Sequence, residues 1–243
     1  MRIIKVDAIE STNLFLRNLY RSQVVHELTG VSARHQIAGR GQKGTTWQSD
    51  AGKNVTCSIL VPKLELPVQD QFMISMVTSL LLLEILEAEQ LPNLAVKWPN
   101  DILSDTFKIA GILIENVVIK NTITATIIGI GLNVNQNTFN HLPKASSLHI
   151  ITGQKYDPEQ LFLAIADAFQ TKFLAYLNDS FQHVKNMYEN YLFKKDKAAT
   201  FKKEENILFS GIIQGVNRAG QVEILTENDA IERFDLKEVT LLY

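Results

Sequence analysis

The hydrophobic pattern of this chain changes style once, at Lys194, and that change constrains the fold more than any other feature. Upstream, long stretches with helical spacing alternate with strand-like runs. Downstream there are only short β segments: Ala199–Phe201, Ile207–Val216, Gln221–Leu225, Ile231–Asp235 and Glu238–Leu242, parted by turns such as Asn217-Arg218-Ala219-Gly220. Short strands with turn residues between them make a small all-β module of about 45 residues, marginal alone and expected to dock on the main body. The expected division is 1–193 for an α+β body and 194–243 for the β module.

In the larger part, a strand over Ile3–Ile9 runs into Ser11-Thr12, which can cap a helix from Leu14 to Arg21. A strand near Gly30–Ala33 opens into a glycine-rich loop that closes at Trp47, and a strand over 54–61 follows. Gln69–Gln90 reads as a helix, because Phe72, Met73, Met76, Val77, Leu80, Leu83 and Leu86 keep an i, i+3/i+4 rhythm. Ile109–Val118 and Thr122–Gly129 read as a hairpin turning at Lys120-Asn121. Pro158 opens a helix whose apolar face runs from Leu161 to Leu177, and another covers Phe181–Leu192.

Composition narrows the function. With 243 residues, 46% hydrophobic and 21% charged, the chain can bury a full core. A net charge of −2 gives no general basic field for nucleic acid. A single cysteine, Cys57, excludes an internal disulfide and sits in an apolar run that suits inert core. The start, Met1-Arg2-Ile3-Ile4-Lys5-Val6-Asp7, reads as a strand rather than a secretory signal. The greasiest stretch, Leu80–Leu83, lies between Ser79 and Glu84 and is read as falling short of the ~20 apolar residues of a membrane span. The expected setting is the cytoplasm, without membrane or DNA partners. The histidines (His26, His35, His141, His149, His183) are scattered and show no metal-ligand spacing.

Four segments carry chemistry. Lys97-Trp98-Pro99-Asn100-Asp101 puts a lysine, an amide and a carboxylate on one short turn, stiffened by Pro99, with Lys108 just beyond. The buried-looking run Ile109–Ile114 follows, so charge is held beside a strand, as an anion site requires. Ala38–Trp47 brings three glycines together with Arg40 and Lys43, and its successive N–H groups can form an anion nest. It has Gly-x-Gly-x-x-Gly spacing, yet no helix opens on it, which rejects a dinucleotide fold; nor is it a Walker A loop. Ser11-Thr12-Asn13 offers hydroxyls near a helix start, and Gly129-Ile130-Gly131-Leu132-Asn133 lets a strand end approach a ligand. The same residues also suit a hairpin loop, a surface loop, a plain N-cap and a β-bulge, and the residues alone leave both sets of readings open.

Taken together and in this order, the four segments resemble the biotin–protein ligases over roughly residues 7–150, and the β-rich tail looks like that family's small SH3-like barrel. The resemblance implies a mixed-sheet catalytic domain of the class II synthetase/biotin ligase kind with packed helices. It implies activation of biotin by ATP to biotinyl-5′-AMP, then transfer to a lysine of a biotin carboxyl carrier protein. In this chain Ser11, Thr12, Asn13, Gln36, Gly39, Arg40, Gly41, Lys108, Gly111, Gly129 and Gly131 would surround biotin. Arg40, Gln42, Lys43, Trp47, Asn100, Lys108 and Asn133 would face ATP or the adenylate, with Lys108 and Arg40 catalytic, Lys97 in support and Asp101 a ligand for Mg²⁺. The chain shows no helix-turn-helix ahead of its first strand, which resembles the enzyme-only class. Where many members carry a second arginine, this chain has Gln42, so weaker retention of biotinyl-AMP is expected. The alternatives are a lipoate or octanoate ligase of the same fold and a non-catalytic biotin sensor. A homodimer paired through a sheet edge near 54–61 is a further expectation.

Overall fold

The computed structural model describes residues 1–140, 142–203 and 207–243; His141 and the side chain of Lys43 lie outside the described residues. A seven-stranded mixed sheet forms the larger part. Its strands are β1 (Arg2–Ile9), β2 (Thr29–Gln36), β3 (Val55–Pro67), β4 (Leu94–Lys97), β5 (Asp101–Ser104), β6 (Phe107–Ile119) and β7 (Thr122–Leu132). They lie in the order β1-β2-β3-β7-β6-β5-β4, with only β1 and β2 parallel.

Strand periodicity sends alternate side chains to opposite faces. On β3, Cys57, Ile59 and Val61 enter the main core, while Leu60 enters a smaller cluster with Val31, Ala125 and Ile127. That smaller cluster is covered by Leu16 of α1 (Thr12–Ser22), whose N-cap is Ser11 as expected. The main core is covered by α2 (Phe72–Ala88), α4 (Pro158–Thr171), α5 (Phe173–Leu177) and α6 (Phe181–Asn190); a short α3 (Leu148–Thr152) falls between α2 and α4 in the chain.

Three expectations change. The apolar segment around Leu80 is longer than the sequence reading allowed: Val68–Ala88, 21 residues, is long and apolar enough to cross a membrane by length and composition. Most of it is buried inside the fold, and its hydroxyls are satisfied within the helix, Thr78 to the Ile74 carbonyl at 2.7 Å and Ser79 to that of Ser75 at 2.8 Å. It is the core helix, enclosed by sheet and helices rather than presenting one apolar face. The helix expected from Pro158 to Leu177 breaks at Lys172 into α4 and α5. Residues 54–61 are not a sheet edge, because β3 is paired with β2 on one side and β7 on the other. Residues 57–60 are paired on both sides, so this segment lies inside the sheet; the end strands are β1 and β4.

The remaining strands, β8 (Ala198–Lys203), β9 (Leu208–Val216), β10 (Val222–Thr226), β11 (Ile231–Phe234) and β12 (Val239–Leu242), form an antiparallel sheet in the order β11-β10-β9-β8-β12. Its inner residues Phe201, Ile213, Val216, Ile224 and Phe234 are continuous with the main core. The turn between β9 and β10 reaches back: the Trp98 indole N–H donates to the Gly220 carbonyl at 2.8 Å, and Arg218 pairs with buried Asp70 through two nitrogens. Gly220 has φ +91° and the Phe72 ring against its α-carbon, so a side chain there would meet both strain and an aromatic face.

Candidate active site

One cavity of about 250 Å³ collects most of the residues singled out from the sequence. The helix start contributes Ser11, Thr12 and Asn13, and the end of β2 contributes Gln36. The following loop adds Arg40, Gly41, Gln42 and Trp47. Asn100 and Asp101 come from the β4–β5 turn, Lys108 and Gly111 from β6, and Gly129 and Gly131 from β7. These elements meet because β6 and β7 pair in register, Gly111 opposite Gly131, and bring both glycines beneath the loop. Leu236 and Lys237, from the five-stranded sheet, close the rim.

The closed end is polar and fully cross-braced. Gln36 Oε1 accepts the Thr12 backbone N–H at 2.8 Å and lies 3.0 Å from the Thr12 hydroxyl. Buried Ser58 lies 2.7 Å from Thr12 Oγ1 and 2.5 Å from Asn13 Oδ1. Asn13 Nδ2 donates to Glu115 at 2.9 Å, and Glu115 is paired with Arg17. Asn13 Oδ1 fills the place where a Cβ on residue 129 would stand, which is why β7 carries glycine there. Gly129 and Gly131 sit in regular ladder positions between β3 and β6, so the bulge reading of this segment fails: close approach of Asn13 and Trp47 sets these residues.

The open end is charged. Lys108 Nζ bonds Asp101 Oδ1 at 2.6 Å and lies 5.6 Å from the centroid of the Trp47 ring. The Trp47 indole rests on the backbone of Gly111 and Gly131. Its Nε1 and Gln42 Oε1 are buried without a hydrogen-bond partner among the described residues, two unused valences on the loop that roofs the cavity. Lys97 stands 5.1 Å from the centroid of the Tyr243 ring; burial lowers its pKa from the usual lysine value, against the raising effect of Asp101. Lys144 approaches the same ring at 5.0 Å. Cys57 lines the cavity, but burial pushes its thiol up to about 12, so it is protonated and inert.

Three expected residues are placed outside the lining: Asn133, Gly39 and Lys97, the last beside the Tyr243 ring. Asn133 is buried and ties chain segments together, its amide donating to the Ser146 carbonyl at 2.9 Å, and it does not line the cavity. Gly39 also stands outside the lining; its backbone pairs with that of Trp47 across the neck of the loop. Asn100 does line it, yet its amide donates to the Ile112 carbonyl at 2.8 Å, fastening the turn to β6. The sequence reading missed Ser58, Glu115, Lys144, Leu236, Lys237 and Tyr243. Each reaches the site through a distant pairing that no local pattern announces.

Among the described residues no three His, Cys, Asp or Glu side chains group to hold a metal. Among the described residues Asp101 is the one carboxylate on the cavity wall, and it is taken up by Lys108. These residues do not make a resident Mg²⁺ site.

Residues 6–133 match the Biotin/lipoate A/B protein ligase family. The chain is 30% identical over 193 residues to the bifunctional ligase/repressor BirA of Bacillus spizizenii, covering 78% of this chain and 59% of that protein. It is 28% identical over 247 residues to BirA of Bacillus subtilis, covering 98% and 74%. The chain therefore spans about three fifths of the first relative and three quarters of the second. A biotin protein ligase from Aquifex aeolicus, solved in complex with biotin and ATP, superposes with TM-score 0.80 at 26% identity, over 99% of this chain and 98% of that one. With the matched family region spanning more than half of its length, the chain belongs to the biotin/lipoate A/B protein ligase family.

Proposed function

We propose that the chain activates biotin with ATP to biotinyl-5′-AMP and transfers the biotinyl group to one lysine of a biotin carboxyl carrier protein. The observation that carries this reading is the polarity of one cavity: braced amide and hydroxyl groups at its closed end, an ammonium–carboxylate pair at its open end. Biotin has the matching shape, a cyclic urea at one end and a carboxylate at the other. A lipoyl dithiolane has neither an N–H for the remaining Thr12 lone pair nor a carbonyl for the Gln36 N–H groups, and would forgo those bonds.

In the first step the biotin carboxylate oxygen attacks the α-phosphorus of ATP, and the bond to the pyrophosphate oxygen breaks. Two anions must approach, so positive charge aimed at the reacting atoms lowers the barrier. Lys108 is assigned that role, with Arg40 from the roof loop, and Asp101 positions the Lys108 ammonium. Gln42, Lys43 and Trp47 are assigned to the adenylate. Lys97 stands next to this end and is assigned to phosphate, while Asn100 holds the turn in place. Mg²⁺ is proposed only as the ion that travels with the ATP phosphates. In the second step the carrier lysine nitrogen attacks the biotinyl carbonyl, AMP leaves, and the nitrogen gives up its proton. Closure of the loop from Gly39 to Trp47 would shield the mixed anhydride from water.

The division 1–193 for catalysis and 194–243 for the second domain follows the two sheets and is proposed with the function. A cytoplasmic setting suits a reaction drawing on ATP. The deciding experiment mixes the protein with ATP, Mg²⁺, a carrier domain and either biotin or lipoate, and follows intact mass. One biotin-sized increment on a single carrier lysine is expected. A lipoyl increment, or biotin binding with no transfer, would reject the proposal.

A further inference from the structure

We propose that Ser58, buried beneath the cavity, fixes the direction of the hydrogen bonds at its closed end and so makes the site select a ring that offers an N–H to Thr12 beside a carbonyl to Gln36. This deepens the biotin reading above and rests on it.

The argument is a proton count. Asn13 Nδ2 faces two acceptors, Glu115 Oε2 at 2.9 Å and the Leu113 carbonyl at 3.4 Å, so that atom must be the nitrogen and the oxygen must face Ser58. An amide oxygen carries no proton, so the single hydroxyl proton of Ser58 goes to it across 2.5 Å. The Ser58 oxygen is then left as an acceptor, and across 2.7 Å it takes the one hydroxyl proton of Thr12. Thr12 has nothing further to give Gln36, whose Oε1 is served instead by the Thr12 backbone N–H at 2.8 Å. With Oε1 pinned there, the Gln36 NH₂ group is turned away from Thr12.

The cavity therefore receives two groups of fixed sign. The Thr12 hydroxyl shows only lone pairs, and Gln36 shows only N–H. The far end of the chain is anchored by charge, since Glu115 is paired with Arg17, and a flipped Asn13 would press its carbonyl against a carboxylate. Ser58 does not line the cavity. It is a positioning residue acting through Thr12: without its hydroxyl the Thr12 proton is shared between Gln36 Oε1 at 3.0 Å and the cavity, where it can meet a ring oxygen.

The test compares biotin with the two analogues in which a ring oxygen replaces one or the other ureido N–H. Binding is measured by calorimetry on the full chain, and KM and kcat by pyrophosphate release. The wild type should reject the analogue whose oxygen faces Thr12 by at least about 100-fold, since a site built to pair one group leaves its own atom unpaired with the wrong one. Ser58→Ala should cut that ratio below about 10-fold and raise the biotin KM about 10-fold, with kcat unchanged. Ser58→Thr, which restores the hydroxyl, should restore the ratio. Should Ser58→Ala fail to fold, Asn13→Ala, which removes the oxygen that takes the Ser58 proton, should give the same collapse. A folded Ser58→Ala or Asn13→Ala protein that keeps the wild-type ratio overturns the proposal. Because calorimetry needs no turnover, a wild type that binds biotin without making the adenylate would refute the ligase reading and still leave Ser58 tested.

Discussion

Gly129→Ala is a demanding perturbation for this site. A methyl group at residue 129 would occupy the position of Asn13 Oδ1. The strand cannot retreat, because Gly129 is paired with Ser58 on one side and Leu113 on the other. Asn13 must therefore give way, losing the 2.5 Å bond from Ser58 and the 2.9 Å bond to Glu115. A neutral hydrogen bond contributes about 1 kcal/mol and one to a charged group about 1.5–3 kcal/mol. Replacing glycine within a strand returns about 0.5–1 kcal/mol. The net expectation is a loss of about 2–3 kcal/mol, which for a chain of this size lowers Tm by roughly 4–12 °C. Guanidinium denaturation of four proteins checks it: wild type, Gly129→Ala, Asn13→Ala and the double variant. In the double variant the methyl group enters the space vacated by the Asn13 amide, so its stability should exceed that of Asn13→Ala alone by the about 0.5–1 kcal/mol that replacing the glycine returns. A double variant less stable than Asn13→Ala by a further 2 kcal/mol or so would place the clash in the strand backbone and refute the reasoning.

Three further outcomes are expected. Lys108→Ala should reduce biotinyl-AMP formation by about 100-fold or more, while stability stays within about 1 kcal/mol because its pair with Asp101 is a third exposed; a normal first-step rate would remove Lys108 from catalysis. Gln42→Arg should lengthen the half-life of radiolabelled biotinyl-AMP on gel filtration, by returning a cation to the roof loop; equal half-lives would count against that. Burial pushes the Cys57 thiol up to about 12 from its ordinary 9.0, so the folded state keeps a proton that the unfolded chain releases. Its stabilising effect is whole below pH 9 and is lost as pH rises toward 12, so the stability gap between wild type and Cys57→Ala should narrow above pH 9. A constant gap in denaturation curves would contradict the assignment.

What could be read ahead of the structure was what periodicity and local chemistry encode. The N-cap at Ser11, the core helix and the hairpin of β6 and β7 are properties of neighbouring residues and were legible. The convergence of Lys108, Arg40 and the cavity glycines Gly41, Gly111, Gly129 and Gly131 was legible too, though only through the resemblance that links their segments. Partners brought together by pairing register were not. Ser58 reads as a polar residue in an apolar strand, and Glu115 as one charge within the Ile109–Val118 strand, until β3 and β6 lie on either side of β7. Asn133 shows the opposite error: a polar residue next to a glycine pair suggests a ligand contact, but the strand end needed its amide to hold the segment around Ser146. The span-length error at α2 arose from reading hydroxyls as polar breaks, whereas Thr78 and Ser79 spend them on their own helix.

Trp98 belongs by position to the charged turn, with Lys97 before it and Asn100 and Asp101 just after. Its indole nevertheless holds the Gly220 carbonyl of the second sheet, beside Phe72 of the core helix. A protein shortened at Lys194 would therefore lose more than an appendage. It would leave an indole N–H without its acceptor one peptide away from Lys97, strip the cover from an aromatic ring, and leave Asp70 without Arg218. Inactivity of such a fragment would say nothing about which half performs the chemistry. Single substitutions at Trp98 or Arg218 in the intact chain are the means of asking how the smaller part bears on catalysis.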